Sequence, residues 1–92
     1  MAKSILQNER VCYFCGRVNG LEKHHVFAGV ANRPISERLG LWAWICKEDH
    51  TGRYGVQYNK EKNLLLKQDA QRAFEKEHPR SEWMELIRKN YL

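Results

Sequence analysis

Two histidines in succession, His24 and His25, stand between Cys12-x-x-Cys15 upstream and Cys46-x-x-x-His50 downstream. These are the residue types that ligate metals. Zn²⁺ favours four tetrahedral donors drawn from thiolate and imidazole, and a short chain commonly encloses it with a Cys-x-x-Cys knuckle and a second short Cys-x-x-ligand element. Cys12, Cys15 and Cys46 supply three donors. Two residues compete for the fourth place: Asp49 stands at the Cys-x-x-ligand spacing and His50 one residue later. An odd number of cysteines, two of them this close together, does not read as a disulfide framework. Coordination in a reducing, cytoplasmic setting is the expectation.

The histidine pair needs a separate account. Neighbouring residues on a strand point to opposite faces, so His24 and His25 do not comfortably serve one ion. They suit a division of labour, in which one imidazole binds a catalytic cation and the other faces a scissile phosphate and takes a proton from water. The pair is internal and is followed by the apolar Val26 and Phe27, which separates it from a surface or tag-like histidine run.

The elements that must carry these residues are short. Residues 11–16 form the knuckle, with Gly16 permitting the tight turn that two thiolates on one ion require. Leu21 to Phe27 suits a strand, followed by a loop. Pro34 suits the first turn of a short helix from Ile35 to Leu39, and Gly40 stops it. Leu41-Trp-Ala-Trp-Ile-Cys is the strongest strand, with Leu41, Ala43 and Ile45 on one face and Trp42, Trp44 and Cys46 on the other. The two strands form an antiparallel pair. From Lys60 to His78 the period becomes helical, with Leu66, Ala70, Ala73 and Phe74 on a buried stripe and Lys67, Gln71 and Glu75 opposite. Pro79 ends that helix. Ser81 is a suitable N-cap for a last helix whose Trp83, Met84, Ile87 and Tyr91 fold back on the first. Phe74 and Trp83 are read as core.

At 92 residues the chain is one domain, and a core this small usually borrows stability from a metal, disulfides or a partner. No apolar run at the N-terminus is long enough for a signal peptide or membrane span. The formal charge of +5 and pI of about 9.3 favour a polyanionic partner. Placement strengthens this: Arg33, Arg38, Lys47 and Arg53 lie within the His/Cys segment. The expected organisation is a flexible arm over 1–10, a zinc and metal core over 11–59 and a helical cover over 60–92.

The chain resembles the HNH endonucleases with a ββα-metal fold, in particular the small zinc-stabilised kind often found in phage and prophage genomes. The resemblance spans most of the chain and rests on Cys12-Tyr-Phe-Cys15, Leu-Glu-Lys-His24-His25-Val-Phe-Ala-Gly, Asn32-Arg33 and Ser36-Glu37. Further along it includes Trp44-Ile-Cys46-Lys-Glu-Asp49-His50, then Gly55-Val-Gln57 and the terminal Lys-Asn-Tyr-Leu. It implies an α+β fold, with a zinc knuckle, a ββα-metal core and two C-terminal helices.

By the same resemblance His24 and His50 are ligands of a catalytic Mg²⁺, Mn²⁺ or similar ion, and His25 is the general base. Asp49 can ligate the structural zinc through oxygen beside the three cysteines, whereas His50 drawn into that site instead would cost the catalytic centre a ligand. Asn32 takes the place of the family's asparagine, and Arg33 and Arg53 hold phosphates of a DNA substrate. Two positions depart from the pattern: Asp49 stands where similar sequences usually carry Cys or His, and Gln57 where a further His is common. The alternative they favour is a degenerate scaffold that binds DNA or protein without cutting. Cutting both strands would require a homodimer or two successive events, and a phage or host protein is a further candidate partner.

Overall fold

A computed structural model describes residues 3–27, 29, 31–48 and 59–92. Its order is β1 (Leu21–His25), α1 (Arg33–Leu39), β2 (Trp42–Cys46), α2 (Lys60–Glu75) and α3 (Arg80–Leu86). The strands pair antiparallel, from Leu21 opposite Cys46 to His25 opposite Trp42. The described residues thus form a small α+β fold with a two-stranded sheet and three helices.

The alternation expected of β2 holds. Leu41, Ala43 and Ile45 enter the main core with Val26, Phe27, Leu66, Ala70, Phe74 and Trp83, while Trp42 and Trp44 pair edge to face, ring centroids 5.4 Å apart. Directly paired residues share a face. Lys23, His25, Trp42 and Trp44 therefore lie on one side of the sheet, and His24, Ala43 and Ile45 on the other.

Residues 3–10, expected as a flexible arm, instead dock along the outer edge of β2. The Ile5 N–H donates to the Gly40 carbonyl at 2.9 Å, and the Ser4 hydroxyl donates to the Trp42 carbonyl. The Trp44 N–H donates to Gln7 Oε1 at 2.5 Å. The cause is the backbone of β2, whose outward N–H and C=O groups meet no third strand among the described residues.

Short polar anchors hold α1 in place. It begins at Arg33, two residues earlier than expected, and ends at Gly40 in the left-handed region with φ +75. A Cβ on Gly40 would sit 2.1 Å from the Lys3 carbonyl oxygen, so both conformation and the docked segment require glycine. Ser36, fully buried, donates its hydroxyl to the Phe27 carbonyl at 2.8 Å and accepts from the Phe27 N–H at 3.2 Å. That pair fixes α1 against the end of β1.

Three expectations for the C-terminal part are corrected. Asn59 caps α2, accepting from the Glu61 and Lys62 N–H groups, but the helix ends at Glu75 instead of reaching His78. The Glu77 and His78 N–H groups both turn back to the Phe74 carbonyl, so the helix closes before Pro79. Next, α3 starts at Arg80 with Pro79 as its cap residue, and no side chain caps it. The Pro79 carbonyl accepts from the Glu82 N–H, which puts Ser81 inside the first turn. Finally, Gln71, expected opposite the apolar stripe, is fully buried, whereas Met84, expected to fold back on the preceding helix, is exposed.

Gln71 is buried because it anchors the C-terminal tail through one backbone and one side-chain group. Its Oε1 accepts from the Tyr91 N–H at 2.7 Å, and its Nε2 donates to Asn90 Oδ1 at 2.8 Å. The Trp83 indole donates to the Lys89 carbonyl at 2.8 Å.

Candidate functional site

The knuckle forms as the spacing requires. Gly16 has φ +77, and its N–H donates to the Cys12 carbonyl at 2.9 Å. The Tyr13 N–H donates to the Trp44 carbonyl at 2.9 Å, which lays the knuckle beside the strand that ends in Cys46. The Tyr13 hydroxyl donates to Asp69 Oδ2 at 2.7 Å and so ties the knuckle to α2. Burial and that carboxylate both push the phenol pKa upward.

Cys12, Cys15 and Cys46 converge, with all three Sγ atoms within 4.8 Å of one another and Cys15 Sγ 3.6 Å from Cys46 Sγ. Thiolates on one tetrahedral zinc at ~2.3 Å would be about 3.8 Å apart. The three thiols are therefore close enough to share a single metal ion. Burial pushes the Cys12 thiol up, but the backbone N–H groups of Cys46, Cys15 and Phe14 outweigh it and leave the pKa below its ordinary value. Arg17 adds positive charge, pairing with Glu48 at 3.6 Å beside the thiols of Cys46 and Cys15. Asp49 and His50, the two candidates for a fourth ligand, lie outside the described residues, as do Arg53 and Gln57.

At the other end of the sheet, His25 meets a partner from α1. His25 Nε2 lies 2.5 Å from Glu37 Oε2, and Lys23 Nζ donates to Glu37 Oε1 at 2.6 Å. Hydrogen bonds from Lys23 and then His25 hold the Glu37 carboxyl below its ordinary value, against a smaller effect of burial. An ionised carboxylate only accepts, so Nε2 carries the proton of this hydrogen bond and Nδ1 is the ring nitrogen that faces away from Glu37. Glu37 was legible only as part of the family-like stretch, with no role attached. The i, i+2 spacing of Lys23 and His25 was the available signal that both side chains share a face.

The two sites are separate. Four residue steps along β1, from Leu21 opposite Cys46 to His25, separate the two, about 13 Å at ~3.3 Å per residue. His24 lies on the sheet face opposite His25, paired with Ala43. Asn32 and Arg33 are exposed at the start of α1, and the Asn32 side chain makes no capping bond. Among the described residues only the three cysteines form a cluster of three or more potential metal ligands.

Fold and site together define a small α+β domain in which three cysteines gather at one end of a two-stranded sheet and could hold a metal ion. Compared with family models, curated proteins and solved structures, the chain matches none. Among the described residues, no helix is long and apolar enough to cross a membrane.

Proposed function

We propose that the protein is a metal-dependent DNA endonuclease of the HNH type, of the small zinc-stabilised phage kind. The observation that carries this reading is the His25–Glu37 hydrogen bond. It gives a strand-borne histidine a fixed tautomer and a basic Nδ1, the state a general base needs. In the reaction, Nδ1 of His25 takes a proton from water while the water oxygen bonds to phosphorus. The bond from phosphorus to the leaving sugar oxygen breaks, and that oxygen takes up a proton. Glu37 stabilises the imidazolium that forms.

His24 and His50 would hold a divalent cation such as Mg²⁺ or Mn²⁺, which when bound neutralises charge on the phosphate and the leaving oxygen. Asn32 lies near enough in sequence to help orient that centre, and Arg33 and Arg53 would contact flanking phosphates. Cys12, Cys15 and Cys46, with Asp49, would hold a structural Zn²⁺.

The test is nicking of supercoiled plasmid by zinc-loaded protein with Mg²⁺, Mn²⁺ or Ni²⁺, beside the His25→Ala variant. The variant is expected to lose at least ~100-fold in rate while keeping its zinc. Equal nicking by both would overturn the assignment. Asp49 and Gln57 favour a second reading, a scaffold of the same ancestry that binds DNA or a protein without turnover. That reading requires no cleavage under any ion.

A further inference from the structure

The segment docked on β2 builds a groove that the cysteine cluster and the His25–Glu37 pair do not use. Its volume is about 570 Å³, and its walls include Lys3, Asn8, Glu9, Arg10, Trp42 and Trp44. This is within the ~300–1,000 Å³ range of ligand-binding clefts. The Arg10 guanidinium stacks 4.6 Å from the Trp44 ring centroid, and Lys23 Nζ stands 4.2 Å from that of Trp42. The lining combines the half-buried Trp44 indole and the largely buried Trp42 indole with cations, one carboxylate and the side-chain amides of Gln7 and Asn8.

Each component suits one class of polymer. Unpaired bases stack on indole and guanidinium planes, Lys and Arg neutralise the phosphates between them, and no base sequence is required. A closed duplex offers its bases only by their edges and cannot stack in such a groove. Position supports the same occupant, because Trp42 is the direct cross-strand partner of His25 and Trp44 that of Lys23. The groove thus runs along the sheet face that carries His25.

From this geometry we infer that the groove binds single-stranded DNA, with a base stacked on the Arg10–Trp44 pair and a phosphate on Lys3. The inference deepens the endonuclease reading by making an unpaired stretch next to the cut part of the preferred substrate.

Binding is measured separately from cutting. Zinc-loaded full-length protein is titrated, without added catalytic ion, into fluorescein-labelled oligo-dT of about a dozen nucleotides at low salt. A duplex and an oligo-U of equal length run beside it, and anisotropy is read. The parent is expected to bind the DNA single strand at least about ten-fold tighter than the duplex. Arg10→Glu, a surface change, and Trp44→Leu should each weaken that binding about ten-fold, whereas Met84→Ala, an exposed change on α3, should bind like the parent. Far-UV circular dichroism checks that each variant is folded, and Arg10→Glu keeps the test decisive if Trp44→Leu is not.

Equal or tighter binding of the duplex, tighter binding of oligo-U, or unchanged binding by Arg10→Glu would overturn the inference. Failures of the two readings look different. Plasmid nicking lost in His25→Ala, with groove variants binding like the parent, removes the groove and keeps the nuclease. Strand binding lost in the groove variants, with no nicking under any ion, keeps the groove and removes the nuclease.

Discussion

Glu37 bridges two side chains on one face of β1, Lys23 through one carboxylate oxygen and His25 through the other. Its replacement by Gln keeps a similar shape and an acceptor but removes the charge. We expect Glu37→Gln to lower nicking roughly 10- to 100-fold, in line with residues that orient a reacting histidine, with zinc content unchanged. The same carboxylate predicts an acid effect. Its folded pKa lies below the ordinary 4.5, so its contribution to stability is full above that value and is lost as pH falls through the depressed one. Urea melts at pH 6 and below pH 4 should show a gap between parent and Glu37→Gln that closes on the acid side. For the metal centre, Cys15→Ser should release zinc at far lower chelator concentrations than the parent. Retention of a full equivalent by that variant would remove Cys15 from the ligand set. The cysteines were legible because coordination chemistry fixes spacing along the chain. Glu37 was not, because it reaches His25 across 12 residues through the placement of α1.

The elements of the sheet were the easiest to read, since the alternation in Leu41-Trp-Ala-Trp-Ile-Cys is a direct image of a strand with two different faces. Helix ends were harder. At Glu75 and at Arg80 the boundary follows backbone carbonyls that accept early turns, and neither Pro79 nor Ser81 advertises this. Gln71 was misassigned for a longer-range reason: its burial follows from the tail's need for a donor and an acceptor about 20 residues away. The junction of α1 and β2 yields a graded prediction. Gly20 and Gly40 both have positive φ, but a Cβ at Gly20 meets open space while one at Gly40 meets the Lys3 carbonyl. Gly20→Ala should cost the conformational penalty alone, ~1–2 kcal/mol, and Gly40→Ala distinctly more. Equal losses in urea unfolding would mean that residues 3–10 yield without cost.

As a whole molecule, the protein spreads a small core over a two-stranded sheet that would not be stable alone. The cysteine cluster joins the knuckle to the end of β2, and Tyr13 joins the knuckle to α2, so one ion held by the cysteines would link segments distant in sequence. Ligands that bind only the folded state add directly to its stability. Stripping metal with a strong chelator should therefore lower the melting temperature markedly and broaden the transition, and returning one equivalent of Zn²⁺ should restore both. Little change on stripping would mean that the apolar core suffices.

The edge-to-face contact of Trp42 and Trp44 also gives the chain an optical property. Two indoles this close on one strand couple their excited states, producing a circular-dichroism couplet that neither ring gives alone. The third tryptophan, Trp83, lies wholly in the core with its N–H on the C-terminal tail. The couplet therefore tracks assembly of β2, and Trp83 emission tracks docking of the tail, so folding of the two regions can be timed separately without a label.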